Sequence, residues 1–176
     1  MHRFVAISGC SGGGKSTLLA ELRRRGHAVV EEPGRRIIAE ELQGSGQALP
    51  WVDIEAFAER AMAMALRDRA EAASLPGWIF FDRGLIDAAA ALEHASGRPV
   101  LQDHASERYN RRMFMAPPWP EIYETDDDRQ HGLKEAIAEY ERLLSAYDHL
   151  GYDICLLPKA SVAERADFVL DTLARD

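Results

Sequence analysis

Residues Gly9, Cys10, Ser11, Gly12, Gly13, Gly14, Lys15 and Ser16 follow the spacing G-x-x-x-x-G-K-[ST]. The glycines let successive backbone N–H groups turn inward with no Cβ in the way, which makes a nest for an anion. A helix starting at Lys15 adds its positive N-terminal end. Lys15 supplies a compact charge for the outer phosphates, and the Ser16 hydroxyl is a ligand for Mg²⁺. Thr17 completes the set of cradle residues. Together they imply binding of a nucleoside triphosphate, with Mg-ATP as the expected cofactor. A chance match to this spacing in a chain of this composition is on the order of one in a thousand. The Cys10 thiol lies near positive dipoles that could activate it, but its role is read as fitting the loop.

Three further groups could do chemistry beside that cradle. The apolar run Trp78–Phe81 ends in Asp82, Arg83 and Gly84. An acid closing such a strand is placed to orient Mg²⁺, so Asp82 is the second candidate metal residue and Arg83 a candidate substrate ligand. Glu31 and Glu32 follow a second apolar run, with Arg35 just beyond. Either carboxylate could take the proton of an attacking hydroxyl, and Arg35 could hold an anionic group of an acceptor. Arg129 lies in a polar stretch that could close over the site as a lid at about 117–132, with Arg108, Arg111 and Arg112 as substitutes. Asp126, Asp127 and Asp128 read as a solvated turn, Asp87 as helix surface, and Trp119 as core. Pro158 to Ser161 marks a place where a nucleobase could rest. The six histidines show no ligand spacing, so zinc is not expected.

The elements that must position these residues alternate. Strands are expected at Arg3–Ser8, Ala28–Glu31, Trp78–Phe81, Arg112–Met115 and Tyr152–Leu157. Helices are expected at Lys15–Arg25, Pro33–Leu42, Ile54–Ala73, Ile86–His94, Leu133–Leu150 and Ser161–Ala174. Asp53 is the N-cap of the third helix. Ser161 with Glu164 has the capping-box spacing for the last. Pro120–Gly132 reads as a loop. Alternation of this kind gives an α/β fold, a five-stranded parallel sheet with helices on both faces. In such sheets ligands bind beyond the C-terminal strand ends, which is where Gly9–Ser16, Glu31, Glu32, Arg35, Asp82 and Arg83 fall.

The chain has 176 residues, enough for one core burying roughly 70% of the unfolded surface. A single nucleoside triphosphate-binding domain over 1–176 is expected. The net charge of −8 argues against nucleic acid or an anionic membrane as partner, because both need a basic footprint. The apolar stretch at the N-terminus is only strand-length, so neither a signal peptide nor a span is expected. Two cysteines without a secretory context make no disulfide framework. A cytoplasmic location is expected.

The order of these groups, Gly9–Ser16, then Glu31, Glu32 and Arg35, then Asp82, Arg83 and Gly84, then Ala116–Tyr123 with Arg129, resembles a bacterial family of predicted AAA-type ATPases. That family is grouped with nicotinamide-riboside-kinase-like P-loop kinases, and the resemblance covers nearly the whole chain. It implies the P-loop NTPase fold with the adenylate-kinase-like strand order 2-3-1-4-5. The acid-Pro pair after the second strand and Asp-Arg after the third also look like deoxynucleoside kinases. That likeness implies Glu32 as base, with Glu31 as the alternative, and Arg83 as the residue holding the substrate.

Three functions fit these residues. The first is a small-molecule kinase moving the γ-phosphate of ATP to an unidentified hydroxyl acceptor. The second is an NTPase acting as a switch with a protein partner or a second copy of the chain as a homodimer. The third is a non-catalytic nucleotide sensor. An acceptor site beside the second and third strands favours the kinase.

Overall fold

The computed structural model describes residues 3–122 and 132–175. Five parallel strands form one sheet, β1 (Phe4–Gly9), β2 (Ala28–Val30), β3 (Ile79–Asp82), β4 (Arg112–Ala116) and β5 (Asp153–Leu156). Their order is β2-β3-β1-β4-β5. Phe4 pairs with Ile79, Ile7 with Phe114, Val30 with Phe81 and Arg112 with Asp153. This is the order and topology that the resemblance implied. The helices are α1 (Lys15–Arg24), α2 (Pro33–Gln43), α3 (Ile54–Ala72), α4 (Leu85–Ser96), α5 (Val100–Asp103), α6 (Leu133–His149) and α7 (Val162–Leu173).

Side-chain alternation along the strands sends apolar residues to both sheet faces. Phe4, Ala6, Ile79, Phe81, Met113 and Met115 pack on one face against α3, α4 and α6. Val5, Ile7, Phe80, Phe114 and Ala116 pack on the other against Leu18, Leu19 and Leu22 of α1 and Ala166, Val169 and Leu173 of α7. With both faces covered, the central strands are apolar throughout, as the runs FVAI and IFF require. Among the described residues no helix is long and apolar enough to cross a membrane.

The caps follow the sequence. Asp53 accepts from Ala56 N at 2.9 Å. Ser161 and Glu164 form the reciprocal capping box. The strand β2 ends at Val30, one residue earlier than expected, because Glu32 already caps α2 and Pro33 opens it. The short helix α5 and a 3₁₀ turn at Pro120–Ile122 were not anticipated. Each is a single turn, too short to carry a periodic signal. The parallel arrangement brings the C-terminal ends of β1, β2, β3 and β4 to one edge, and there the chemistry gathers.

Candidate active site

The loop from β1 to α1 wraps into a cradle. Cys10 N donates to Ala116 O at 2.9 Å, and Gly13 N to Cys10 O at 3.1 Å. Gly14 has φ +74°, a left-handed conformation that glycine adopts freely. A Cβ on it would lie 2.6 Å from Nη1 of Arg165. Thr17 Oγ1 donates to Gly14 O at 2.9 Å, and Ser16 is exposed on the first turn of α1. Lys15 is buried, and its ammonium donates to Cys10 O at 3.1 Å and Gly9 O at 3.4 Å. Burial pushes its pKa down, and the nearby Arg83 charge adds to the effect. Cys10 is fully buried, and burial pushes its thiol up, against the pull of Lys15. A thiol so held is inert, which agrees with its role as a fitting residue.

Asp82 closes β3 beside this lysine. It is 7% exposed, and its Oδ1 is buried without a hydrogen-bond partner. Burial and then the charge of Glu32 push its carboxyl up to about 6, with Lys15 and Arg83 pulling the other way. Arg83 has φ +57°, a conformation that costs a residue with a Cβ about 1 kcal/mol or more. Two acids and a carbonyl hold it there. Nη1 and Nη2 donate to Glu139 of α6, Nη2 also donates to Gly9 O at 3.3 Å, and Nε lies 3.3 Å from Oε1 of Glu32. Although burial opposes it, the Arg83 pKa is raised well above the usual range by Glu139 and Glu32. Burial likewise works against the Glu139 carboxylate, but Arg83 and Lys15 hold it down at about 2.

Glu32 and Glu31 part company. Glu32 is 19% exposed, pairs with Arg83, and accepts from Arg35 Nε at 3.1 Å. Glu31 is 67% exposed and pairs with Arg23 of α1 at 3.1 Å. It borders an open hollow of about 410 Å³ with Val30, Arg36 and Asp68, whose lining does not include Arg83. The structure therefore gathers Lys15, Asp82, Arg83, Glu32 and Arg35 around the cradle and leaves Glu31 outside. Arg129 and the three aspartates before it lie outside the described residues.

Several expectations need correction. Asp87 is not helix surface. It is 5% exposed and accepts from Ser8 Oγ, from Tyr147 Oη at 2.7 Å and from Gly84 N at 3.1 Å. Burial pushes its carboxyl up. Arg108, Arg111 and Arg112 cannot reach phosphate, since they sit at the opposite, N-terminal end of β4. Arg108 lies over the Tyr152 ring, Arg111 pairs with Asp153, and Arg112 donates to Thr172 O. Trp119 is half-buried against Arg165, with the guanidinium carbon 5.7 Å from the ring centroid, rather than in the core.

Glu139 and Arg165 were missed, yet both carry a signal. Glu139 falls three residues after Ala136 and beside Tyr140, on the buried stripe of α6. Arg165 falls four residues before Val169 and eight before Leu173, on the buried stripe of α7. A charge on an apolar stripe needs a partner, and that need was the readable clue.

A strand, a glycine cradle and a lysine at the head of a helix, with an acid closing the neighbouring strand, define a P-loop domain. The sequence pattern of an AAA domain family (AAA_28) matches residues 4–165, and the chain belongs to that family. No curated protein matches the chain in sequence. Among solved structures it is similar to deoxyadenosine kinase from M. mycoides with the products dCMP and a flexible dCDP bound. That likeness has 15% identity, TM-score 0.64 and 98% of each chain covered. The same kinase with dATP bound gives 16% identity and TM-score 0.56, covering 98% of this chain and 100% of that one. Shikimate kinase from Acinetobacter baumannii in complex with shikimate gives 14% identity and TM-score 0.59, covering 98% and 93%. At these identities the likeness establishes a P-loop kinase fold.

Proposed function

We propose that this chain is a single-domain small-molecule kinase that transfers the γ-phosphate of ATP to a hydroxyl acceptor. The observation that carries the reading is the pairing of Glu32 with Arg83 beside Lys15 and Asp82. A hydrolase needs the cradle and a positioned water. That minimum does not call for a second carboxylate paired with an arginine beside the cradle. A kinase uses both, one to accept the hydroxyl proton and one to hold the acceptor. The solved structures of similar fold support it, since one holds dATP and another shikimate.

Each residue then has a task. The Gly9–Gly14 amides and Lys15 bind the β- and γ-phosphates. Glu32 receives the acceptor proton, while Arg83 and Arg35 orient the acceptor. The exposed Ser16 hydroxyl and the unpartnered Oδ1 of Asp82 fit Mg²⁺, which when bound neutralises charge on the phosphates. Glu139 keeps Arg83 in its left-handed conformation. Arg129 is assigned to closure over the phosphates.

The test measures ATP hydrolysis alone and ATP consumption with nucleosides, vitamins and sugars, scored by the mass of phosphorylated product. Weak hydrolysis alone and a large rise with one acceptor class is the expected result. E32Q should lower acceptor phosphorylation about a hundredfold, and E31Q should leave it within a few-fold. Brisk hydrolysis with no phosphorylated acceptor refutes the kinase.

A further inference from the structure

Arg165, in the first turn of α7, is the largest fully buried side chain described and is 2% exposed. Its Nη1 donates to Gly14 O at 3.0 Å and its Nη2 to Gly13 O at 3.1 Å. Its Nε is buried without a hydrogen-bond partner. No acid forms a salt bridge with it among the described residues, in contrast to Arg83, Arg36 and Arg60. Burial pushes its pKa down, with no neighbouring charge offsetting the effect. An unpaired cation in the interior is costly, and an apolar side chain of similar size would fill the same space more cheaply. Fold stability therefore does not explain an arginine here.

Its partners explain it. Both acceptors are carbonyls of the phosphate cradle, on the side turned toward α7. A peptide whose C=O is fixed on one side has its N–H fixed on the other. The bond also brings a full positive charge to within one peptide of the anion site, where the surroundings screen it weakly.

We propose that Arg165 is a positioning residue for the phosphate cradle: it clamps the Gly13 and Gly14 peptides so that their carbonyls face α7, and it supplies a buried charge that a bound polyphosphate compensates. The inference rests on the reading of Gly9–Ser16 as a phosphate site. Trp119 caps the guanidinium, and a Gly14 Cβ would lie 3.2 Å from Cδ1 of Ile122, so the segment leaving β4 is packed on the same clamp.

The experiment titrates pyrophosphate and ATP by calorimetry into wild type, K15A, R165M and R165K, and records the melting temperature of each without ligand. R165M removes the charge and keeps the bulk. It should weaken pyrophosphate and ATP binding about tenfold or more, about 1.4 kcal/mol, with a melting temperature within a few degrees of wild type. R165K keeps a charge but lacks the two-pronged donor, and should recover part of that loss. A merely structural arginine would lower the melting temperature and leave the dissociation constants of the folded protein unchanged. Unchanged affinity in R165M, with binding abolished in K15A, overturns the role of Arg165 and leaves the phosphate site standing. Wild type that binds neither ligand overturns both. If R165M does not fold, R165K decides: severalfold weaker binding at a near-native melting temperature supports the clamp, and unchanged binding removes it.

Discussion

Asp82 gives the sharpest test of how this site is built, because its burial costs stability that its function requires. Replacing it with Asn keeps the shape and removes the charge. The Asp82 carboxyl is pushed from its ordinary 3.8 to about 6 by burial and by Glu32. At about 1.4 kcal/mol per pH unit, that gap corresponds to about 3 kcal/mol. The sign follows from proton uptake. Below 3.8 the group is protonated in both native and unfolded chains, and it imposes no penalty. Between 3.8 and about 6 the unfolded chain loses its proton first, so native stability falls as pH rises. Above about 6 the penalty is complete.

D82N should therefore be more stable than wild type by up to about 3 kcal/mol at pH 8. The advantage should shrink steadily to near zero at about pH 4. Urea unfolding of both proteins in EDTA at half-unit pH steps measures it. The same substitution should abolish Mg²⁺-dependent turnover, since the amide cannot hold the ion's water shell. A D82N protein less stable at pH 8, or a stability difference flat from pH 4 to 8, refutes the reasoning. It would mean that Lys15 and Arg83 satisfy the carboxylate fully and that Asp82 is a structural ion-pair partner.

K15A should fold and lose nucleotide binding. Wild type should gain about 2.7 kcal/mol from ATP at a hundred times its dissociation constant, and a melting shift retained in K15A would remove the cradle assignment. G84A should destabilise by about 1–3 kcal/mol in urea. A Cβ there would collide with the Tyr109 hydroxyl and lie 2.8 Å from its Cζ, while that hydroxyl is held by Leu85 N at 2.9 Å. A neutral G84A would mean that Tyr109 moves freely. E32Q should lower acceptor phosphorylation more than background hydrolysis, and equal losses in the two reactions would assign Glu32 to the phosphates rather than to the acceptor.

The cradle and the sheet were legible because each is written in a local pattern. Gly9–Ser16 needs only its own spacing, and the run IFF ending in an acid needs only its own alternation. The choice between Glu31 and Glu32 was not legible, because β2 is three residues long and a period of two cannot be read from so short a strand. The turn into α2 at Pro33 decides it, by making Glu32 the cap residue and turning it toward Arg83. Asp87 looked like an ordinary acid in a first helical turn, and its Gly84 bond is just that. Its other partners, Ser8 and Tyr147, come from β1 and α6, and no local pattern announces them.

The charges around the cradle form two sets that differ in how they are satisfied. Arg83 is paired with acids, with Glu139 and Glu32 on its guanidinium and Gly9 O beside them. Lys15 and Arg165 are buried and, among the described residues, donate to backbone carbonyls, the first to Gly9 and Cys10, the second to Gly13 and Gly14. Neutral carbonyls orient a cation without cancelling its charge, so these two leave a net positive field converging on one loop. Asp82, Glu32 and Glu139 offset part of the Lys15 charge but no such charge offsets that of Arg165, and an anion seated in that loop compensates the remainder. On the other side Asp82 carries an oxygen with no hydrogen-bond partner, whose charge a cation would cancel. A ligand combining a polyphosphate with a divalent cation compensates both sides at once, and neither half alone does. The arrangement thus favours a metal–nucleotide complex over free nucleotide or free metal, with the wild-type ATP stabilisation expected to rise on adding Mg²⁺ and that rise to be lost in D82N. An equal ATP-induced melting shift with Mg²⁺ and with EDTA would contradict it.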